Sequence, residues 1–150
     1  MATKPAPQNV PATLHAVLAD TYILAIKTHA AHWNVTGPSF NSLHAAFELQ
    51  YNQLLVAADV IAERLRALGK PAPTGAKDLL GNARISDAIP GTDGVLLART
   101  LGADHRTVAR ACSVAAQEAN NANDNATADL LVKQIEDHEK IAWMLEATAG

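Results

Sequence analysis

Residues 29–48 read HAAHWNVTGPSFNSLHAAFE, and two further acids, Asp59 and Glu63, follow at helical spacing. Carboxylate oxygen together with neutral imidazole nitrogen suits Fe2+ and similar divalent ions. His44 and Glu48 are one helical turn apart, and so are Asp59 and Glu63, so each pair can aim two ligands at one point. Glu48 and Asp59, however, are three turns apart, about 16 Å along a helix axis. No single ion spans that gap with ligand bonds of about 2 Å. A straight helix therefore uses these four residues in one of two ways. They form two separate half-sites, or His44 and Glu48 meet Asp59 and Glu63 of a second copy across an antiparallel, two-fold contact that creates the site twice. His32, near the end of the preceding helix, can add a ligand to the first pair. The motif that builds di-iron sites inside one bundle, Glu-x-x-His, is absent.

The elements that must carry these residues are helical throughout. Apolar residues recur at three- and four-residue steps from Ala12 to about Trp33, and NVTGPS breaks that helix. Ser39 or Asn41 opens a second helix that stops at Gly69, ahead of Pro71. The long connection from Lys70 to about Thr92 has room for one short helix near residues 76–80. A third long helix starts near Gly94 and ends in the polar cluster EANNANDN, and a fourth starts at Asp124 or Asn125 and ends near Ala149. The predicted fold is all-α, a four-helix bundle over residues 12–150 with a short extra helix in the long connection between helices two and three. That connection makes helices two and three parallel. Residues 1–11, with three prolines, read as a flexible N-terminal tail.

On a helical wheel the second helix has two faces. Leu43, Phe47, Leu54, Ile61, Leu65 and Leu68 form a core stripe. His44, Glu48, Asp59 and Glu63 form another, well away from the first. The plain alternative for the second stripe is a solvated face. Leu55 and Ala62 lie among its acids, and few cations are there to pair with them until Arg66, which points to contact with another surface, either within the bundle or on a partner.

Bulk properties narrow the function. The net charge is −3, and Lys4 is the one basic residue ahead of the first helix. Non-specific DNA binding depends on Lys and Arg neutralising phosphates, so strong direct DNA binding is not expected. No apolar run approaches the roughly 20 residues that span a bilayer, and no signal pattern opens the chain. Cys112 is the single cysteine. It reads as a buried, inert thiol, and the expected location is cytoplasmic, at the nucleoid if DNA is bound.

HWNVTGPSFNSLHAAFE followed by DVIAERLRALG resembles the Dps-like ferritins, the miniferritins that protect DNA in starved cells, and the similarity extends through NARISDA, ATADLL and HEKIAWMLEA. The resemblance implies a ferritin-like bundle, a hollow homo-dodecamer, and an iron-oxidising site at each two-fold interface. His32, His44 and Glu48 would come from one subunit and Asp59 and Glu63 from its neighbour. Glu48 stands where the family often has Asp. The implied activity is a ferroxidase that binds Fe2+, oxidises it with hydrogen peroxide or oxygen, and stores Fe3+ mineral. The alternative is a nucleoid-associated DNA-binding protein whose iron chemistry is secondary; the missing basic tail speaks against it.

Other residues carry weaker expectations. Trp33 reads as a packed aromatic or as a radical quencher beside the iron, and Trp143 as core packing. Asp124 and Asp129 read first as capping and dipole-matching acids, and the resemblance also puts them near a cation pore. Lys27 is too far from His32 for a direct proton relay. His29 reads as a surface or interface histidine. His15, His105 and His138 show no partner pattern, and IEDHEK reads as a solvated face.

Overall fold

The computed structural model describes residues 9–150. Four long helices, α1 (Val10–Asn34), α2 (Phe40–Ala67), α4 (Gly94–Asn121) and α5 (Asn125–Ala149), form the bundle, and the short α3 (Ala76–Asn82) lies in the connection between α2 and α4. The first eight residues of the expected tail lie outside the described residues. Its last three belong to the bundle: the Asn9 side chain accepts a hydrogen bond from the Ala12 N–H at 3.2 Å, and Pro11 sits in the first turn, where its missing N–H costs nothing.

The other helix ends follow from local chemistry. Gly69, at φ +77°, ends α2; its N–H donates to the Arg66 carbonyl and that of Lys70 to the Leu65 carbonyl, both at 3.0 Å. This closure needs a left-handed residue, which glycine adopts without strain. Asn123, at φ +60°, plays the same part after α4. Asp93 caps α4 and Asp124 caps α5, each accepting from a backbone N–H three residues on.

The main core is an apolar cluster running through all four long helices, and a small second cluster of Val10, Ala119 and Ala128 closes one end. The predicted stripe of α2 supplies Leu43, Phe47, Leu54, Ile61 and Leu65, all nearly fully buried. α1 buries residues on almost every side, because α2, α4 and α3 all pack against it. Trp143 corrects the core-packing expectation: it is 62% exposed, while its neighbours Ala142 and Leu145 fill the interior positions of α5. An apolar residue type did not fix its side of the helix.

Two ion pairs, each with one partner buried on α1, tie the frame. Asp20, fully buried on α1, accepts from the Arg84 backbone N–H at 2.6 Å and from Arg84 Nε at 2.7 Å, which straps the long connection to α1. Burial pushes the Asp20 carboxyl upward, against the opposing hydrogen bonds and charge of Arg84. Lys27 Nζ lies 2.7 Å from Asp104 Oδ2, joining α1 to α4. Lys27 is thus committed to a buried pair. Removing one partner of such a pair leaves an uncompensated charge and costs about 3–5 kcal/mol.

At one end of the bundle a single parallel bridge pairs Thr36 with Asp93. The Thr36 N–H donates to the Thr92 carbonyl at 2.8 Å and the Gly94 N–H to the Thr36 carbonyl at 3.2 Å. The bridge holds the starts of α2 and α4 side by side, so these helices run parallel, as the long connection requires. Gly94 permits the contact: a Cβ there would stand 2.9 Å from Leu43 Cδ1 and 3.3 Å from the Thr36 carbonyl. Gly94→Ala is therefore expected to cost about 1–3 kcal/mol, read by chemical denaturation, through overpacking at this junction. An unchanged denaturation midpoint would show that the junction yields freely.

Candidate metal centre

The turn between α1 and α2 folds His32 and His44 onto each other. His32 Nδ1 lies 2.7 Å from the His44 carbonyl oxygen, and His44 Nδ1 lies 2.8 Å from the His32 carbonyl oxygen. A carbonyl only accepts, so each Nδ1 carries the hydrogen and donates it. Each Nε2 is then left with a free lone pair, the form in which imidazole binds a metal. The His32 carbonyl belongs to the last turn of α1, where no helical N–H follows to satisfy it. The helix end thus supplies the acceptor that fixes the tautomer of His44.

The rings are held in plane as well. His32 and His44 stack with centroids 3.9 Å apart and planes 15° apart. Phe40 stacks on the outer side of this pair through His44 at 5.1 Å, and Tyr51 meets His32 edge-on at 5.5 Å. His29 is stacked on Tyr51 at 4.0 Å and lies against Trp33 at 4.1 Å. Phe40, Tyr51 and His29 were not among the predicted site residues. Their signal was present: Phe40 and Tyr51 stand four residues before and seven after His44, on its side of the helix. Trp33 is 66% exposed, and its ring lies against that of His29 with the planes tilted by 40°.

Glu48, one turn beyond His44, is exposed, as are Asp59 and Glu63 further along α2. Among the described residues no three His, Cys, Asp or Glu side chains of this one chain come together to hold an ion. The structure therefore brings His32 and His44 together, and leaves Glu48, one turn further along α2, and Asp59 and Glu63 outside that cluster. Asp59 lies in the wall of a groove of about 560 Å3 between α1, α2 and the connection, with Tyr22, Ile26, Leu55 and Leu80 around it. These four apolar side chains are all at least 38% exposed. The mixture of Leu55 and Ala62 with acids, read from the wheel, is this groove.

The remaining candidates sort themselves by contact. Asp124 caps α5 and receives Arg64 Nη2 at 2.8 Å. Burial raises its carboxyl, but the hydrogen bonds from Thr127 and the charge of Arg64 outweigh that and hold it below the usual range. Asp129 is exposed on the second turn of α5. His15 bonds Asp78 of α3 at 3.0 Å. Cys112 is buried, and burial pushes its thiol up to about 12, which makes it inert as a nucleophile. His138 corrects the solvated-face reading of IEDHEK: it is buried and partnered with His105.

Comparison with known proteins adds the family. The ferritin model, a ferritin-like domain, matches residues 11–150. The DNA protection during starvation protein of Brevibacillus brevis is 36% identical over 141 residues, covering 93% of this chain and 94% of that one. The crystal structure of a Dps protein from Bacillus brevis superposes with a TM-score of 0.90 at 33% identity, covering 94% of this chain and 95% of that one. That of the Vibrio cholerae Dps protein, described as a member of the ferritin-like diiron-carboxylate superfamily, gives a TM-score of 0.89 at 26% identity and covers 100% and 98%. With its all-α bundle, its short helix in the long connection and its paired histidines at the α1–α2 turn, the chain belongs to the ferritin-like family as a Dps-like miniferritin.

Proposed function

We propose that this protein is a ferroxidase that takes Fe2+ as its substrate, oxidises it with hydrogen peroxide or, more slowly, oxygen, and stores the Fe3+ product as mineral inside a hollow shell of twelve copies. In this reading it protects DNA in the cytoplasm by consuming both reactants of hydroxyl-radical formation. Two electrons, one from each of two Fe2+ ions, and two protons convert one peroxide to two waters. The observation that carries the reading is the reciprocal His32–His44 lock, which leaves both Nε2 atoms free as nitrogen ligands, with Glu48 exposed one turn further along α2.

The rest of the ligand set comes, in this reading, from a second copy. Asp59 and Glu63 are too far along α2 to reach their own histidines, and Asp59 sits in a groove rimmed by exposed apolar side chains. Exposed apolar patches of this kind mark association surfaces. A two-fold contact through this groove sets Asp59 and Glu63 of one copy against His32, His44 and Glu48 of the other, twice per pair. The carboxylates then favour Fe3+ over Fe2+ by charge, which lowers the cost of giving up the electron.

Strong direct DNA binding forms no part of this reading. The chain carries −3 net charge, and Lys4 stands alone ahead of α1. In this reading Trp33 gives an electron to radicals escaping the site; its exposure and its contact with His29 support that role.

Two measurements test these assignments. The variant Asp59→Ala/Glu63→Ala is expected to lose Fe2+ oxidation by stoichiometric peroxide, followed by ultraviolet-visible absorption, by about 100-fold or more. Mixing it with His32→Ala/His44→Ala chains is expected to restore activity in hybrid pairs, since one intact site then forms per pair. Hybrids shown to assemble yet lacking any activity rule out the shared site. Trp33→Phe is expected to leave the oxidation rate in place but to raise protein carbonylation during turnover; equal carbonylation in both proteins removes the quenching role.

A further inference from the structure

The bundle core contains a second histidine pair, distant from the iron ligands in both sequence and role. His105 on α4 and His138 on α5 face each other with Nδ1 atoms 2.8 Å apart and ring planes tilted by 47°. Both are buried, at 0% and 2% exposure. Two nitrogens at that distance share one hydrogen, so one ring donates and the other accepts. His105 Nε2 is buried with no hydrogen-bond partner. An orphaned N–H is rarer in protein interiors than an orphaned acceptor, which makes this nitrogen the bare lone pair. His105 therefore donates from Nδ1, and His138 accepts at Nδ1 and carries its own hydrogen on Nε2. The pair is neutral and holds two ring hydrogens.

The proton count decides how this contact responds to acid. A first added proton, on His105 Nε2, leaves the N–H···N bond in place but puts a charge in the core. A second fills His138 Nδ1. Two N–H groups and two positive charges then face each other at the position of the former bond. The nearest carboxylate, Asp137, favours a charged His138, but burial outweighs it. On α1, Lys27 is paired with Asp104 of α4, and Asp20 with Arg84. On α5, Asp137 beside His138 is bound to Lys133, and Arg106 of α4 reaches across to Glu146 of α5. α2 buries no charged residue.

We propose that the His105–His138 pair is an acid-release latch, a tie between α4 and α5 that holds only while both rings are neutral, so that mild acid favours the opened bundle, in which the rings can take up protons. Burial acts in the same direction, holding His105 well below its ordinary 6.5 and His138 at about 4. The sign follows. The unfolded chain takes up these protons near the ordinary 6.5, whereas in the folded bundle His138 resists its proton to about pH 4 and His105 is likewise held low. The stabilisation is thus complete above pH 6.5 and is lost as the pH falls from there towards 4. The carboxylates held low by folding, Asp78, Asp124 and Glu146, have ordinary values of 3.8, 3.8 and 4.5, so they act at the acid end of this window and below it, equally in parent and variant.

The test compares the assembled protein with its His105→Leu/His138→Leu variant by thermal unfolding, monitored by circular dichroism, at several pH values between 7 and 4.5. Each histidine is expected to shift the unfolding ratio by up to about tenfold per pH unit in the parent protein. The variant should lack that component, so its melting temperature should fall less on acidification. The other histidines are common to both proteins and cancel in the difference. Parallel losses in parent and variant overturn the proposal. Should the variant fail to fold, solid-state NMR of the histidine-labelled parent protein decides: at least two imidazoles must remain neutral at pH 5, and charging of all six by pH 5.5 overturns the latch.

Discussion

An α-helix advances about 1.5 Å per residue, and that fixed rise governs how this protein can build a metal site. α2 carries four potential ligands, and the helix makes their separation rigid. His44 and Glu48 fall within one turn, Asp59 and Glu63 within another, and the distance between the pairs exceeds any coordination bond several-fold. Bending cannot close it, because gentle helix curvature moves side chains by far less than three turns. In the proposed function the chain thereby offers two incomplete sites, one rich in nitrogen and one rich in oxygen, and the apolar groove around Asp59 is the proposed surface through which two copies complete each other.

The nitrogen-rich half is prepared by the way a helix ends. The last carbonyls of α1 have no helical partners, and His44 uses one of them. His32 returns the bond to the His44 carbonyl, so one pair of hydrogen bonds closes the α1–α2 turn, selects both tautomers and stacks the rings. Phe40 and Tyr51 then restrict the ring planes from either side. Ligands ordered before the ion arrives lose little freedom on binding it.

The frame beneath the site is held by buried polar ties as much as by apolar packing. Asp20–Arg84, Lys27–Asp104 and His105–His138 connect α1 to the long connection, α1 to α4, and α4 to α5. Each fixes one relationship among the helices that a smooth apolar interface would leave free to slide. Each also has an electrostatic condition attached, because removing or adding a charge turns a tie into a buried liability. The bridge between Thr36 and Asp93 does the same for the end of the bundle nearest the histidines, where Gly94 lets α2 and α4 start almost in contact.

Much of this protein was legible in its sequence because it is encoded locally. Asp93, Asp124 and Gly69 mark helix ends through bonds to residues three to five positions away, and the period of Leu43, Phe47, Leu54, Ile61 and Leu65 reveals the core face of α2 with no knowledge of what covers it. Likewise the spacing from Glu48 to Asp59 depends on nothing but helical rise. The start of α1 was missed by two residues because Asn9 and Pro11 serve a helix as readily as a tail. The outward turn of Trp143 and the pairing of Lys27 with Asp104 and of His105 with His138 were not legible at all. These partners lie on different helices, and the crossing and rotation of one helix against another is set by the packing of the whole core. Sequence alone determined which residues lie on one side of each helix, through the fixed geometry of the backbone. Only the tertiary structure decided which of those sides meet, because that choice is made by side chains competing for the same interior.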